Sequence, residues 1–308
     1  MNFSELIKKK AIELGFQKVG IAKAEALPNH KKNLEEWITS GSHASMDWVA
    51  NRKEERGNIH NYFPEAKSII SVGMNYYTGL NQNNLNSKLK FSNYAWGEDY
   101  HKVLKSKLYQ FLNWIKKSQP SIKGIVCVDT SPLMEKVFAQ KAGLGWQGKH
   151  TSLITRDYGS WIFLGELIVD IPLDYDAPFI EDLCGSCTAC IDECPTNALD
   201  EYKIDSNKCI SYRSIEHRGP FKVDENELQG WIYGCDICQE VCPWNQKFNV
   251  STSEKAFYPR KEIMEWEDND WASLDEEGFR KLFKDSAVKR TKYSGLDRNI
   301  KNNLEKEI

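Results

Sequence analysis

The sequence predicts a layered domain of helices and strands, of the α/β or α+β class, followed by a small cysteine-rich domain and a short, charged helical C-terminal segment. Three observations support this prediction. Helical and extended patterns alternate over the first part of the chain. Eight of the nine cysteines lie in one short stretch, and the residues that follow it are rich in charge. The predicted domains are 1–176, 177–248 and 249–308.

The elements of the first domain follow from the spacing of apolar residues. Apolar side chains at intervals of three and four residues, such as Phe3, Leu6 and Ile7, indicate helices. Short apolar runs such as GIVCVD indicate strands. Helices are predicted at 3–15, 34–38, 99–117 and 132–141, and strands at 19–22, 68–77, 124–129, 151–155 and 160–169.

The composition excludes several classes of protein. The 308 residues are 41% hydrophobic and 28% charged, with a net charge of -3. Such values exclude a disordered chain and a uniformly basic nucleic-acid binder. The longest apolar stretch, Trp161 to Ile171, is shorter than the roughly 18 residues that a membrane span needs. The N-terminal pattern is an amphipathic helix and not a secretion signal, so we expect a cytoplasmic protein without membrane association.

The cysteines in the second domain indicate iron–sulfur chemistry, because cytoplasmic cysteines seldom form disulfides. The first run has the spacing of bacterial ferredoxins, Cys184-x2-Cys187-x2-Cys190-x3-Cys194-Pro195. In that run three cysteines bind one cluster and the fourth binds another. Two [4Fe–4S] clusters are therefore predicted, one on Cys184, Cys187, Cys190 and Cys242, the other on Cys194, Cys209, Cys235 and Cys238. The alternative is a pair of structural zinc sites, which favour paired C-x2-C motifs without a following Cys-Pro.

A glycine-rich segment follows the predicted helix 132–141. Gly143, Gly145 and Gly148 match a dinucleotide-binding fingerprint, and Gly148-Lys149 nearly completes a phosphate-binding loop. Both motifs need a strand before the glycines and a helix after them, but here the order is reversed. His150 also stands where the phosphate-binding loop needs Ser or Thr. We therefore expect this segment to approach a large ligand closely without binding a nucleotide in either mode.

Asp129 and His101 are the candidate acid–base residues. Asp129 ends a predicted strand, where α/β folds place their sites, although it could instead cap the following helix. Cys127 faces the same side of that strand and is expected in the core. His101 begins a predicted helix and could equally be a surface or capping histidine. Asp99-x-His101 lacks the glycine of the cobalamin-binding DxHxxG motif, since Leu104 stands there, so His101 is not expected to bind cobalt.

Seven segments, in order between about 90 and 299, resemble the epoxyqueuosine reductase family. They are YAWGEDYHKVL, VDTSPLMEKVFAQKAGLGWQGKHTSLIT, GSWIFLGEL, CGSCTACIDECPTNAL, KCISYRSIEHRG, GWIYGCDICQEVCPWN and SAVKRTKYSGLDRN. The resemblance implies an enzyme that reduces epoxyqueuosine to queuosine at the wobble position of tRNA. It implies a cobalamin (vitamin B12) in the first domain and two [4Fe–4S] clusters in the second.

The resemblance also implies roles for individual residues. The family's proton donor corresponds to Asp129, which we expect to be kept protonated by desolvation, and the neighbouring catalytic histidine corresponds to His101. One departure is His150, where the family usually has asparagine. The residues expected to contact cobalamin are Arg52, His101, Asp129, Gly148, Lys149, Thr151, Ser152, Leu164 and Ser211.

The expected partners are tRNA and an external electron donor such as a flavodoxin or ferredoxin, with the chain acting as a monomer. Eight Lys or Arg and only two acids lie between Arg280 and Lys301, which predicts a phosphate-binding face, unless this stretch is simply a solvated amphipathic helix. Tyr293 or Trp244 could stack on bases. The chain resembles a short form without the helical repeats that many members carry. The predicted anticodon-loop contacts are Lys289, Arg290, Lys292 and Arg298.

Two other functions share some of these features. A reductive dehalogenase-like enzyme would use the same cofactors, but such proteins are usually exported with a twin-arginine signal, and this chain has no Arg-Arg pair. A ferredoxin-type electron carrier would explain the clusters, but it leaves the roughly 170 residues before them without a role.

Overall fold

The computed structural model describes residues 2–221 and 227–305. The strands are β1 (Lys18–Lys23), β2 (Ser68–Asn75), β3 (Lys90–Phe91), β4 (Gly124–Cys127), β5 (Trp146–Gln147), β6 (Leu153–Ile154), β7 (Ile162–Val169), β8 (Leu199–Asp200), β9 (Lys203–Ile204) and β10 (Trp231–Tyr233). The helices are α1 (Phe3–Glu13), α2 (Pro28–Thr39), α3 (Asp47–Ala50), α4 (Lys53–Gly57), α5 (Tyr100–Ser118), α6 (Glu135–Lys141), α7 (Ala189–Asp192), α8 (Ile210–Ile215), α9 (Ile237–Glu240), α10 (Pro243–Lys247), α11 (Lys261–Glu265), α12 (Asp268–Ala272), α13 (Glu276–Leu282) and α14 (Lys292–Leu304). Short 3-10 helices lie at Ile59–Asn61, Gln82–Asn84, Asn93–Ala95, Lys255–Phe257 and Ala287–Thr291.

A four-stranded antiparallel sheet with the order β1-β2-β7-β4 forms the frame of the first domain. Helices α1 and α5 cover one face of the sheet and α6 covers the other. Every residue of β2 is buried because both faces are covered. The predicted layered arrangement is therefore confirmed. Its antiparallel strands place it in the α+β class, so the site cannot be located by the rule for parallel sheets.

The link between β4 and α6 differs from the prediction. We expected a strand through Asp129 and a helix from Pro132, but β4 ends at Cys127 and α6 begins at Glu135. Tight turns replace the first helical turn: Thr130 N–H donates to Val128 O at 2.6 Å, and Leu133 N–H donates to Ser131 O at 2.8 Å. We call residues 128–134 the Asp129 loop. Asp129 has a φ of 55°, so it bends the chain and does not cap a helix.

The C-terminal segment packs against two earlier parts of the chain. Strand β3 pairs in parallel with β10, which joins the first domain to the cysteine-rich one. Trp271 and Phe283 then pack on Phe91, with ring centroids 5.0 and 5.9 Å apart. The three predicted domains therefore share one hydrophobic cluster, and their boundaries stay a prediction.

Among residues 2–221 and 227–305, no helix is both long and apolar enough to cross a lipid bilayer.

Asn299 joins α14 to the cysteine-rich region. Its amide donates to Ser214 O and to Ile232 O, both at 2.8 Å, and it is fully buried. We expect Asn299→Ala to lower the free energy of unfolding by about 1–3 kcal/mol, because Ser214 O and Ile232 O each lose the Asn299 donor, although Ser214 O keeps the Thr291 hydroxyl. Calorimetry of the anaerobic, reconstituted protein would show this as a lower Tm. Asn302→Ala on the same helix is the control, because its side-chain oxygen has no partner among the described residues. Equal Tm values for the two variants would contradict this role.

Candidate active site and cluster ligands

Asp129 lies at the open end of the sheet, where neighbouring side chains hold it in a strained backbone conformation. Its N–H donates to Glu135 Oε1 at 2.5 Å. Its Oδ2 lies 3.1 Å from His101 Nε2, and the Tyr100 hydroxyl donates to the same carboxylate. Three side chains therefore fix Asp129 in a left-handed conformation that a non-glycine residue seldom adopts.

His101 bridges two carboxylates. Asp99 caps α5 and accepts the His101 N–H at 3.0 Å, and its Oδ1 also lies 2.8 Å from His101 Nδ1. The two ring nitrogens therefore face Asp99 and Asp129, an arrangement that orients the ring and stabilises its protonated form. Tyr100 stacks on Phe163 with ring centroids 4.4 Å apart, which anchors the start of α5 on the sheet. The histidine is thus part of the site and not a surface residue.

The charges place the proton on His101 and not on Asp129. Burial disfavours the imidazolium, but hydrogen bonds and charges from Asp129 and Asp99 outweigh it and raise the pKa of His101 to about 9. Burial also favours a neutral Asp129, but the hydrogen bond and charge of His101 hold the pKa of this carboxyl below its ordinary value. The expectation that desolvation keeps Asp129 protonated is therefore corrected: the imidazolium opposite it prevails.

Two basic residues near Asp129 were missed by the sequence reasoning. Lys136 donates to Thr151 O at 2.9 Å. Burial lowers the pKa of Lys136, while the charges of Asp129, Glu135 and Cys238 raise it, so this ammonium lies between the acid site and a cluster ligand. Burial also lowers the pKa of Arg56, against the charges of Glu135 and Asp129.

The predicted contacts at 148–152 form a tight turn between β5 and β6. Gly148 N–H donates to Ser152 O at 2.9 Å, and Thr151 has a φ of 69°. Because a strand and not a helix follows the turn, neither nucleotide-binding motif is present here. Lys149 is buried with its ammonium 2.6 Å from Glu201 Oε1, so its charge is already paired.

The other predicted cobalamin contacts lie on separate elements. Arg52 precedes α4 and donates to Glu55 Oε1 at 2.6 Å. Leu164 is half-buried on β7. Ser211 lies on α8, where its backbone N–H hydrogen-bonds the Cys209 thiol. The structure therefore assigns Ser211 a contact with a cluster ligand through its main chain.

The eight cysteines of this region influence one another electrostatically, and their division between two clusters stays a prediction. Burial raises the pKa of Cys190 to about 11, and the charges of Cys242, Cys184 and Cys187 raise it further. Burial also raises the pKa of Cys238, and the charges of Cys209, Asp236, Cys190 and Cys194 raise it further, so its thiol neighbours come from both predicted groups. The pKa of Cys235 is raised by burial and then by Cys238 and Cys209. The influence of Cys242 on Cys190 is what the crossed ferredoxin pattern expects, but Cys190 also influences Cys238, so the assignment of ligands to each cluster stays a prediction.

Each group offers four thiols, as one [4Fe–4S] cluster requires. Cys187 is exposed, whereas Cys190 and Cys242 are buried. In residues 2–221 and 227–305, no three histidine, cysteine or carboxylate side chains converge on a point suited to one metal ion. A cubane cluster presents its four irons at separate corners, so its ligands need not converge as the ligands of zinc do.

The four predicted tRNA contacts are not equivalent. Lys289 and Lys292 are exposed. Arg290 makes a bidentate pair with Glu216 at 2.8 and 2.7 Å. The Arg298 guanidinium donates to three main-chain carbonyls and lies 4.1 Å from the Phe221 ring centroid. Arg298 therefore stabilises the fold, and the two lysines carry the free positive charge.

The two candidate stacking residues are also engaged within the protein. Trp244 Nε1 donates to Leu183 O at 3.2 Å, and Tyr293 OH donates to Leu274 O at 3.3 Å. Trp48 is 44% exposed and lies 5.6 Å from the Arg56 guanidinium. It is the better-placed ring for stacking near the site, and its only sequence signal is a tryptophan in a polar segment.

Comparison with known proteins covers nearly the whole chain. A protein named epoxyqueuosine reductase from Cyclobacterium marinum is 43% identical over 299 residues, 96% of this chain and 95% of that protein. The one from Leadbetterella byssophila is 44% identical over 301 residues, 97% of each. The chain belongs to the epoxyqueuosine reductase family. Two family models agree: "Epoxyqueuosine reductase QueG, DUF1730" matches residues 56–130, and "4Fe-4S double cluster binding domain" matches 183–245.

Solved structures of the family share the fold. One, with an epoxyqueuosine-modified tRNA stem loop, has a TM-score of 0.88 and 28% identity over 97% of this chain and 80% of that chain. Another, from Bacillus subtilis, has a TM-score of 0.86 and 27% identity over the same shares. In it the catalytic aspartate loop is swung out of the active site. Family membership favours an oxidoreductase with its own substrate over an electron carrier or a dehalogenase-like enzyme.

The family's cofactors are cobalamin and two [4Fe–4S] clusters, and the residues around Asp129 fit the cobalamin. The Asp129 side chain is 55% exposed, yet burial is the largest single influence on its pKa. Protein atoms therefore surround Asp129 while its carboxylate stays accessible to solvent. Beneath the 148–152 turn, His150 Nε2 is buried without a partner in the described residues, and a carbonyl at the edge of a seated ligand would satisfy it.

Paired cysteine substitutions test the two cluster groups. Cys184→Ala and Cys242→Ala should each lose about half of the bound iron, and the double variant should lose no more, because both thiols serve one cluster. Cys184→Ala with Cys194→Ala should lose nearly all of it. Iron analysis and EPR of anaerobic preparations measure this, with buried Cys127→Ala as the control. Complete loss in the Cys184/Cys242 pair alone would contradict the crossed grouping.

Proposed function

We propose that this chain reduces epoxyqueuosine in the anticodon loop of tRNA to queuosine, and that Asp129 with His101 supplies a proton to the leaving oxygen. The arrangement that supports the proposal is the Asp99–His101–Asp129 chain with a solvent-accessible Asp129 carboxylate. Converting the epoxide to an alkene releases its oxygen as water and consumes two electrons and two protons. When bound, cobalamin supplies a strongly reducing centre, and the clusters supply single electrons to it.

The geometry of the chain's own residues indicates the route by which the proton reaches the epoxide oxygen. His101 carries the proton at neutral pH and lies within hydrogen-bond distance of Asp129. A ligand that covers the cleft removes water from the Asp129 carboxylate, which raises its pKa and favours transfer of the proton from His101. Asp99 then stabilises the tautomer that remains. Asp129 is thus the proton donor to the epoxide oxygen, and His101 supplies Asp129 with that proton.

Electrons enter, in this proposal, at the exposed cluster and leave at the one beside the acid site. Cys187 of the first group is exposed, so a one-electron donor such as a flavodoxin or ferredoxin could approach its cluster. Cys238 of the second group faces Lys136, which also faces Asp129. We further propose that the chain acts in the cytoplasm as a monomer. Light scattering of the purified protein would test the oligomeric state.

The tRNA contact is proposed for Lys289 and Lys292, because both are exposed and close in sequence. A relative is solved with a modified tRNA stem loop. Arg290 contributes only if it leaves Glu216. We also propose that the Asp129 loop has an inner and an outer position here, because the catalytic aspartate loop is swung out of the active site in the Bacillus subtilis structure.

Asp129→Asn should reduce turnover of epoxyqueuosine-containing tRNA by about 100- to 10,000-fold, because the amide cannot donate the proton. Iron and cobalamin contents should stay unchanged. Mass analysis of digested tRNA measures the product, and Asp157→Asn, at an exposed position, is the matched control. Turnover at the normal rate would remove Asp129 from the mechanism.

Turnover should fall as the pH rises through about 9. His101 has a pKa raised to about 9, so it is protonated below this value and loses the proton above it. Asp129 has a lowered pKa and adds no acid limb near neutrality. His101→Gln should abolish the alkaline limb and leave a low, flat rate. An unchanged limb in that variant would assign the ionisation to another group.

Lys289→Ala with Lys292→Ala should weaken tRNA binding and reduce its salt dependence, because each phosphate contact releases a counterion. The slope of log K against log salt should fall by about 0.7–0.9 per lysine. Fluorescence anisotropy with a labelled stem loop measures this, and exposed Lys116→Ala on α5 is the control. A slope that does not change would place the tRNA on another face.

A further inference from the structure

Glu166 is a carboxyl inside the protein for which the mechanism above has no use. It lies on β7 and is fully buried, and neither of its oxygens has a hydrogen-bond donor among the described residues. Its register partners are Ser71 on β2 and Cys127 on β4. The Ser71 hydroxyl makes no bond to it, and burial raises the pKa of the Cys127 thiol to about 12, so neither neighbour neutralises it.

The polar group that does reach Glu166 is the carboxyl of Glu135. Each of the two carboxyls is among the largest influences on the pKa of the other. Two ionised carboxylates cannot remain in contact in a buried place, so the pair holds a proton between them. Burial raises the pKa of Glu166 well above its ordinary value, and Glu135 raises it further. The direction of this shift agrees with a neutral Glu166 that donates to Glu135.

Glu135 makes its other contact with the Asp129 loop. Its Oε1 accepts the Asp129 N–H at 2.5 Å, and Asp129 has a φ of 55°. Backbone in this region persists only where its surroundings hold it. The Asp129 N–H connects the Asp129 loop to Glu135 at the start of α6. Loss of this acceptor would therefore favour release of the loop from its inner position.

We propose that Glu135 is a positioning residue that holds the Asp129 loop in its inner position, and that a protonated Glu166 beneath it holds Glu135. The inference rests on the role of Asp129 in the proposed function. It adds a second layer to the site: Glu166 donates to Glu135, Glu135 accepts from the Asp129 main chain, and the Asp129 side chain faces the cleft. Neither glutamate touches the substrate.

Amide hydrogen exchange measures how strongly the Asp129 loop is protected from opening, and it requires no catalytic turnover. Glu135→Ala should speed exchange of the Asp129 amide by about 10- to 100-fold, because a hydrogen bond to a charged acceptor is lost. Glu135→Gln keeps a neutral acceptor and should show a smaller increase. The experiment uses the full chain with its clusters and cobalamin, and follows peptides that contain Asp129. Glu65→Ala, at the exposed partner of Lys123, should leave exchange unchanged.

Substitutions of Glu166 test the protonated partner. The glutamine side chain is a neutral donor of the same shape, so Glu166→Gln should keep most of the protection. Glu166→Leu removes the donor and should lose it. If Glu166→Leu fails to fold, as judged by its Tm and iron content, the contrast between Glu135→Ala and Glu135→Gln decides alone.

Kinetics separate positioning from a general loss of structure. Glu135→Ala should lower kcat by a factor similar to the gain in exchange, while the KM for tRNA stays unchanged because the tRNA contacts lie elsewhere. Glu135→Gln should restore much of the rate. Unchanged exchange in Glu135→Ala, or equal behaviour of Glu166→Gln and Glu166→Leu, would overturn the inference. Failure of the proposed role of Asp129 would alter turnover results only and leave the exchange results interpretable.

Discussion

The contact between His101 and Asp129 is the interaction on which the site depends. The two residues belong to the first turn of α5 and to the loop after β4, and only the packing of α5 against the sheet brings their side chains to 3.1 Å. The buried face of α5, including Leu104 and Leu108, lies in the same apolar cluster as the central strands. A shift of the helix by one ångström would weaken the hydrogen bond and release the proton-carrying pair. The helix–sheet core is therefore a condition of the chemistry.

The site contains more carboxyl groups than basic groups, and bound protons offset the excess negative charge. Asp99 and Asp129 share the charge of one imidazolium, while burial raises the pKa of both Glu135 and Glu166 and so opposes full ionisation of that pair. Each pair lowers its electrostatic cost by retaining a proton. A cleft built for a reaction that consumes protons thus keeps them beside the reacting group at neutral pH, where free solvent offers very few.

The sequence predicts the parts of the site that local spacing encodes and misses those that depend on tertiary contacts. The cysteine motif follows from intervals of two and three residues, and a double-cluster family model matches it, whereas the division of the ligands between the two clusters stays a prediction. Asp129 and His101 were identified by resemblance, but no spacing rule brings together residues 28 positions apart. The local Pro132 signal predicted a helix start that the turns of the Asp129 loop override. Arg298 looked like a surface cation because a sequence does not show which carbonyls will surround it.

One signal for the second layer of the site was present in the sequence. Glu166 interrupts the apolar run IFLGELIV, which forms a strand buried on both faces. A carboxyl in such a position needs a partner that neutralises it. Periodicity gives no indication of that partner, because Glu135 precedes it by more than thirty residues on a different layer. The sequence could therefore have shown that a buried acid needs explaining, without showing which residue explains it.

Two consecutive residues at the start of α6 form hydrogen bonds with the two strained residues near the site. Asp129 and Thr151 are non-glycine residues with φ values of 55° and 69°. Glu135 accepts the main-chain N–H of Asp129, and the next residue, Lys136, donates to the main-chain carbonyl of Thr151. Each strained conformation costs of order 1–3 kcal/mol and persists only if the surroundings over-determine it. Consecutive residues of opposite charge thereby anchor the Asp129 loop and the 148–152 turn from one helical turn, and the buried Glu166 keeps that turn in place.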